Sequence, residues 1–152
     1  MSSLLGVSQK CQYALRALFE LALRYPGDTV TTVSEIAESQ KIPPRFLEQI
    51  FAKLRTGGFI EFRRGNQGGY VMTVSPSAIS VGEIIRFIEG TDESVDCLKR
   101  PGSSHCPFRG GCVSMDLWQR AQTAMSDIFD STSFQDLIDK QRSSEEFFNY
   151  TI

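Results

Sequence analysis

Three cysteines, Cys97, Cys106 and Cys112, are the residues of this 152-residue chain best suited to chemistry. Thiolates are soft ligands that select iron–sulfur clusters, zinc or copper(I). The spacing Cys97-x8-Cys106-x5-Cys112 lacks the short knuckle of a usual zinc site. Wider gaps in a glycine-rich loop suit a larger object, and a thiolate-held iron–sulfur cluster is one. Pro107 stiffens the loop beside Cys106, while Gly102, Gly110 and Gly111 let the backbone approach closely. Spacing alone leaves three free thiols as the alternative. A fourth cysteine, Cys11, lies far upstream, and without a secretion signal a disulfide framework is not expected. Catalysis is not expected either. The chain has one histidine, no nucleophile–base pair that spacing places together, and no phosphate-binding glycine loop followed by a helix.

A second chemistry lies in Pro44 to Tyr70, PPRFLEQIFAKLRTGGFIEFRRGNQGGY from Pro43 onward. Leu47, Ile50, Phe51 and Leu54 recur at helical spacing and share one face. Arg45, Gln49, Ala52 and Lys53 fall on the other, and Arg55 follows. Pro44 suits a first helical turn, and Gly57-Gly58 stops the helix. Phe59, Ile60 and Phe62 then read as one strand, and Tyr70, Val71, Met72 and Val74 as a second. Arg63 and Arg64 stand at the base of the turn, with Gly68 and Gly69 letting its tip lie close to a duplex. A polar-faced helix followed by a basic, glycine-tipped hairpin is how a winged helix meets double-stranded DNA: helix in the major groove, wing beside the phosphates.

The elements upstream must position that helix. Thr32-Val33-Ser34-Glu35 has the capping-box pattern, so a short helix runs from there to Gln40-Lys41. The order helix, turn, helix, hairpin is a helix-turn-helix with a wing, and Thr32 joins the expected DNA-binding set. Before it, Val7 to Arg24 reads as a first helix with Tyr13, Ala14, Ala17, Leu18, Leu21 and Ala22 as its stripe, ended by the turn at 25–28. After the wing, Ser75-Pro76-Ser77 marks a boundary, and Ser80-Val81-Gly82-Glu83 opens a helix under a second capping box that ends at Gly90. Residues 91–111 show little periodicity. Val113 to Phe129 reads as a long helix with Leu117, Ala121, Ala124, Met125 and Ile128 on one side, a stripe best buried against its copy in a second subunit. A short helix, FQDLIDK, and a Phe147-Phe148-Asn149-Tyr150 cluster close the chain.

The expected fold is therefore mainly α with a small β-wing. A winged helix-turn-helix domain spans residues 1–90, a cysteine-bearing loop 91–112, and a dimerisation helix with a C-terminal helix 113–152. A twofold dimer would read a pseudo-palindromic operator. Charge agrees with this division. Residues 1–75 carry nine Lys/Arg and six Asp/Glu, residues 76–152 seven and twelve, giving the net −2. A positive first half suits DNA contact, and overall acidity argues against non-specific nucleic-acid binding as the main role. No apolar run is long enough to span a bilayer, so a soluble, cytoplasmic protein is expected.

Several motifs together resemble the winged-helix iron–sulfur transcription regulators typified by IscR and NsrR, over nearly the whole length. They are Lys10-x-x-Tyr13-Ala14-Leu15, Phe46-Leu47-Glu48-Gln49-x-x-x-x-Leu54-Arg55, Arg64-Gly65-x-x-Gly68-Gly69-Tyr70, Val81-Gly82-Glu83-Ile84-Ile85 and Cys112-x-x-x-x-Leu117-Trp118. The resemblance implies a homodimeric regulator whose three cysteines hold a cluster, 2Fe–2S in preference to 4Fe–4S, with cluster state setting DNA affinity. Two departures stand out. Where family members place a histidine ligand this chain has Met115, and where others place a carboxylate on the first helix it has Gln12. Cys11, His105, Asp116 and Met115 itself are the candidates left for the fourth ligand, and the longer first spacing leaves nuclearity open. Two cluster-free signals compete: thiol oxidation through sulfenic acid, and a metabolic enzyme bound as protein partner, for which the acidic second half and Phe147-Phe148 offer a surface.

Overall fold

A computed structural model describes residues 7–27, 29–90, 107, 108 and 111–150. Among them six α-helices and one two-stranded sheet form in the expected order.

Helix α1, Gln9–Ala22, starts where Ser8 Oγ accepts from the Cys11 N–H at 3.1 Å. It buries Cys11, Ala14, Ala17, Leu18, Leu21 and Ala22 along one stripe. Helix α2, Val33–Gln40, opens with the complete capping box: Glu35 N donates to Thr32 Oγ1 at 3.2 Å, and Thr32 N to Glu35 Oε2 at 2.7 Å. Lys41, in the left-handed conformation at φ +52°, ends α2 and turns the chain into the next helix. Helix α3, Pro44–Thr56, buries Leu47, Ile50, Phe51 and Leu54 completely. It stops in a Schellman arrangement: Phe59 N donates to Leu54 O and Gly58 N to Arg55 O, with Gly58 at φ +77°.

Strands β1, Ile60–Arg63, and β2, Gly69–Met72, pair antiparallel with Ile60 opposite Met72 and Arg63 opposite Gly69. Thr31 adds a one-residue third rung, since its N–H and carbonyl both bond to Tyr70 across the outer edge of β2. The wing is thereby tied to the entrance of α2. A 3-10 turn, Pro76–Ala78, leads to α4, Val81–Glu89, where Ser80 Oγ accepts from Glu83 N, the serine half of the second expected box. Helix α4 ends at Gly90, φ +86°.

Helix α5, Ser114–Ser131, has no buried side chain. Its last turn closes on α4: a Cβ on Gly82 would stand 2.0 Å from Asp130 Oδ1, and Arg86 pairs with that carboxylate at 2.7 Å. Helix α6, Phe134–Tyr150, buries Phe134 and Ile138 and is much longer than the expected FQDLIDK. Beyond Ile138 it has no core-facing stripe to read. It continues through Lys140, Gln141, Arg142, Glu145 and Glu146, which favour helix, with side-chain bonds such as Gln141 to Glu145 at 2.8 Å.

The α2 cap sets a pH dependence. Hydrogen bonds from the Thr32 N–H and then its hydroxyl hold the Glu35 carboxyl below the usual glutamate range. A folded pKa below the unfolded one adds stability that is present above the unfolded value and lost as pH falls through the folded one. Thr32→Ala should cost about 1 kcal/mol near neutrality by chemical denaturation. The gap to wild type should narrow as pH drops below the glutamate range. A gap that ignored pH would remove Glu35 from the cap's energetics.

Candidate nucleic-acid interface

The solvent face of α3 carries Arg45, Glu48, Gln49, Ala52 and Arg55, all exposed. Because α3 packs inward through its Leu47–Leu54 stripe, the opposite face projects outward. Arg45 and Gln49 have no partner among the described residues, so their donors and acceptors stand available for base edges or phosphate. Lys53 is different. It is half-buried, its Nζ donates to Ile88 O at 2.7 Å, and it lies 5.7 Å from the Phe87 ring centre. The structure thus turns Lys53 away from Arg45 and Gln49, to cap the carboxyl end of α4.

The wing carries its charge unevenly. Arg63 Nε pairs with Glu61 at 2.7 Å, whereas Arg64 is exposed without a partner among the described residues. Arg55 and Arg64 line one open cleft of about 620 Å³ with Gly58, Ile60, Glu61, Phe62 and Thr73, where α3 meets the wing. Two guanidinium groups on one cleft suit a phosphate strand.

Gly68 and Gly69 are placed otherwise than the sequence suggests. Both are buried. A Cβ on Gly68, at φ +62°, would stand 2.6 Å from the Phe62 ring, and one on Gly69 2.8 Å from Thr31 O. These glycines seat the wing on its own neighbours, and the exposed tip is Gly65-Asn66-Gln67. Tyr70 is half-buried, its ring 4.8 Å from that of Phe51 and 5.4 Å from that of Phe62. It joins α3 to the wing. Thr32 spends its hydroxyl on the α2 cap. Sequence reasoning passed over Phe46, third residue of α3 and 49% exposed, whose aromatic type hid an outward position.

Of the cysteines, Cys97 and Cys106 lie outside the described residues, as does His105. Cys112 is free and half-buried two residues before α5. Its carbonyl accepts from Met115 N at 3.1 Å, and Met115 is half-buried beside it. Asp116 is exposed in a weak surface pair with Arg120 at 3.8 Å. Cys11 is wholly buried in the hydrophobic core rather than presented outward. Gln12 reaches Val7 O at 3.4 Å. Cys112 is a partly accessible soft donor of the kind a thiolate-held cluster needs, whereas Cys11 is enclosed by core side chains.

The family described as Rrf2, iron-dependent transcriptional regulator, matches residues 7–140. The regulator CymR of Bacillus subtilis is 31% identical over 146 residues, covering 96% of this chain and 99% of that protein. Its solved structure, described as the global cysteine regulator of B. subtilis, gives a TM-score of 0.72 at 30% identity, covering 88% of this chain and 96% of that one. The regulator IscR of Yersinia pseudotuberculosis is 31% identical over 89% of this chain and 80% of its own. The structure of T. potens IscR gives a TM-score of 0.74 at 29% identity, covering 91% and 89%.

Proposed function

Since this chain belongs to the Rrf2 family of transcriptional regulators, and is a regulator rather than an enzyme, we propose that it is a cytoplasmic homodimer whose operator affinity is set by an iron–sulfur cluster on Cys97, Cys106 and Cys112. The observation that carries the DNA-binding part is the unpartnered Arg45 and Gln49 on the ridge of α3, flanked by the cleft of Arg55 and Arg64. In this reading residues 1–90 bind DNA, 91–112 hold the cluster and 113–152 make the dimer. Arg45 and Gln49 meet base edges, and Arg55, Arg64 and the Gly65–Gln67 tip meet the backbone, with Arg63 set back by Glu61. Thr32, Lys53, Gly68, Gly69 and Tyr70 hold these groups in place.

A bound cluster supplies a rigid, redox-active crosslink between thiolates. The chain's own residues supply the coupling. The last turn of α4 leads directly into the cysteine segment. Lys53 ties that turn to the recognition helix through Ile88 O, and Glu89 ties it to α1 by accepting from Ser8 N at 2.8 Å and from Ser8 Oγ. Ordering residues 91–112 thus bears on α3 through Lys53 and on α1 through Glu89, an order–disorder switch joined to a rigid-body shift.

Arg64→Ala tests the wing. Affinity for any duplex should fall on the order of tenfold at low salt, and the salt slope by about one. Unchanged binding contradicts the assignment. A second reading keeps the DNA contact and replaces the cluster with thiol oxidation or a bound enzyme. The likeness to CymR, one of whose solved structures is described as an oxidized form, favours the thiol reading.

A further inference from the structure

We propose that Lys10 and Tyr13 on α1 form a second DNA-phosphate contact, at the amino end of the recognition helix, where the wing cannot reach. This rests on the DNA-binding reading above. The buried stripe of α1 is Cys11, Ala14, Ala17, Leu18, Leu21 and Ala22; Lys10 is exposed, and Tyr13, expected in that stripe, lies at its edge, half-buried with its ring against the core. Gln9, Tyr13, Arg16 and Glu20 follow one another at helical spacing along the flank of that stripe, and Lys10 stands exposed one turn before Tyr13.

Contacts fix where that face points. The Tyr13 ring is 6.1 Å from the ring of Phe46, at the exposed start of α3. Arg16 lies 5.9 Å from the Tyr13 ring centre and is anchored to the carbonyl and side chain of Gln40, at the end of α2. Tyr13 therefore stands beside the end of the helix that presents Arg45.

Hydrogen bonding gives the hydroxyl a direction. Gln9 Nε2 donates to Tyr13 Oη at 3.0 Å, so the oxygen is already an acceptor there and its own proton is left to donate elsewhere. No described residue takes it. An oriented O–H donor, a Lys10 ammonium without a partner among the described residues and a guanidinium at Arg16 suit an anionic oxygen. The carboxylate in this row, Glu20, takes a hydrogen bond from Gln40 at 2.7 Å and is paired with Arg24 at 3.4 Å, whose cation offsets its charge. Continuity with the α3 ridge identifies the anion as duplex backbone.

The test uses the full chain and a labelled mixed-sequence duplex of about 30 base pairs, titrated by fluorescence anisotropy between about 50 and 200 mM salt. Lys10→Ala should lower the log–log salt slope by about one. Tyr13→Phe keeps the ring against Phe46 and should weaken binding roughly fivefold at every salt without changing the slope, because the lost donor is neutral. Wild-type binding by either variant, while Arg64→Ala binds weakly, overturns this inference and leaves the DNA reading standing. A wild-type protein that does not bind the duplex overturns both.

Discussion

Leu117→Asp combined with Ile128→Asp should turn the protein into a monomer and lower its affinity for a two-half-site operator by on the order of a hundredfold or more. The stripe Leu117, Ala121, Ala124, Met125 and Ile128 runs along a helix with no buried side chain, and Leu117 and Ile128 are 56% and 63% exposed. An 18-residue helix anchored to the rest of the chain mainly through its last turn gains little from its own propensity. In the proposed dimer a second copy would supply the apolar partner. Two carboxylates in that seam would face their own copies across the twofold axis, and desolvating them costs several kcal/mol. Each recognition helix would then bind one half-site alone. Sedimentation and binding to a duplex recovered by selection read both effects. A variant that stays dimeric would show that another surface joins the subunits.

Phe51→Ala should cost about 3–5 kcal/mol, a loss of roughly 10 °C or more in melting temperature. Phe51 is wholly buried on the inner face of α3, and its ring meets Tyr70 at 4.8 Å. Removing it opens a cavity between the recognition helix and the wing, the two parts that must hold a fixed separation to follow one groove and its neighbouring strand. Phe51→Leu keeps most of the volume and should recover more than half of the loss. Destabilisation below about 1 kcal/mol for the alanine variant would mean that the wing is held chiefly through Thr31.

Much of this was legible in the sequence for a physical reason. The α3 stripe, the α2 capping box and the Gly57-Gly58 stop are local patterns whose spacing is set by one helix period or one cap, and each forms as read. What was not legible depends on contacts distant in sequence. Lys53 is on the outward side by periodicity, yet the carbonyl end of α4 draws it inward. Gly68 and Gly69 look like a thin wing tip until Phe62 and Thr31 are seen against them. Cys11 beside Gln12 looks available as a ligand, but a shift of one residue on a helix turns a side chain by about 100° and here sends it into the core. The length of α6 was hidden because an exposed helix leaves no apolar rhythm.

The most direct test of cluster-set regulation is an anaerobic purification with iron and acid-labile sulfide counted alongside the visible spectrum, for wild type and Cys112→Ser. The expected result is a brown wild-type protein with about two irons and two sulfides per chain, and a Cys112→Ser protein that folds but holds little of either. A wild-type protein that is colourless as purified and after reconstitution would contradict the cluster and move the signal to the thiols or a bound partner.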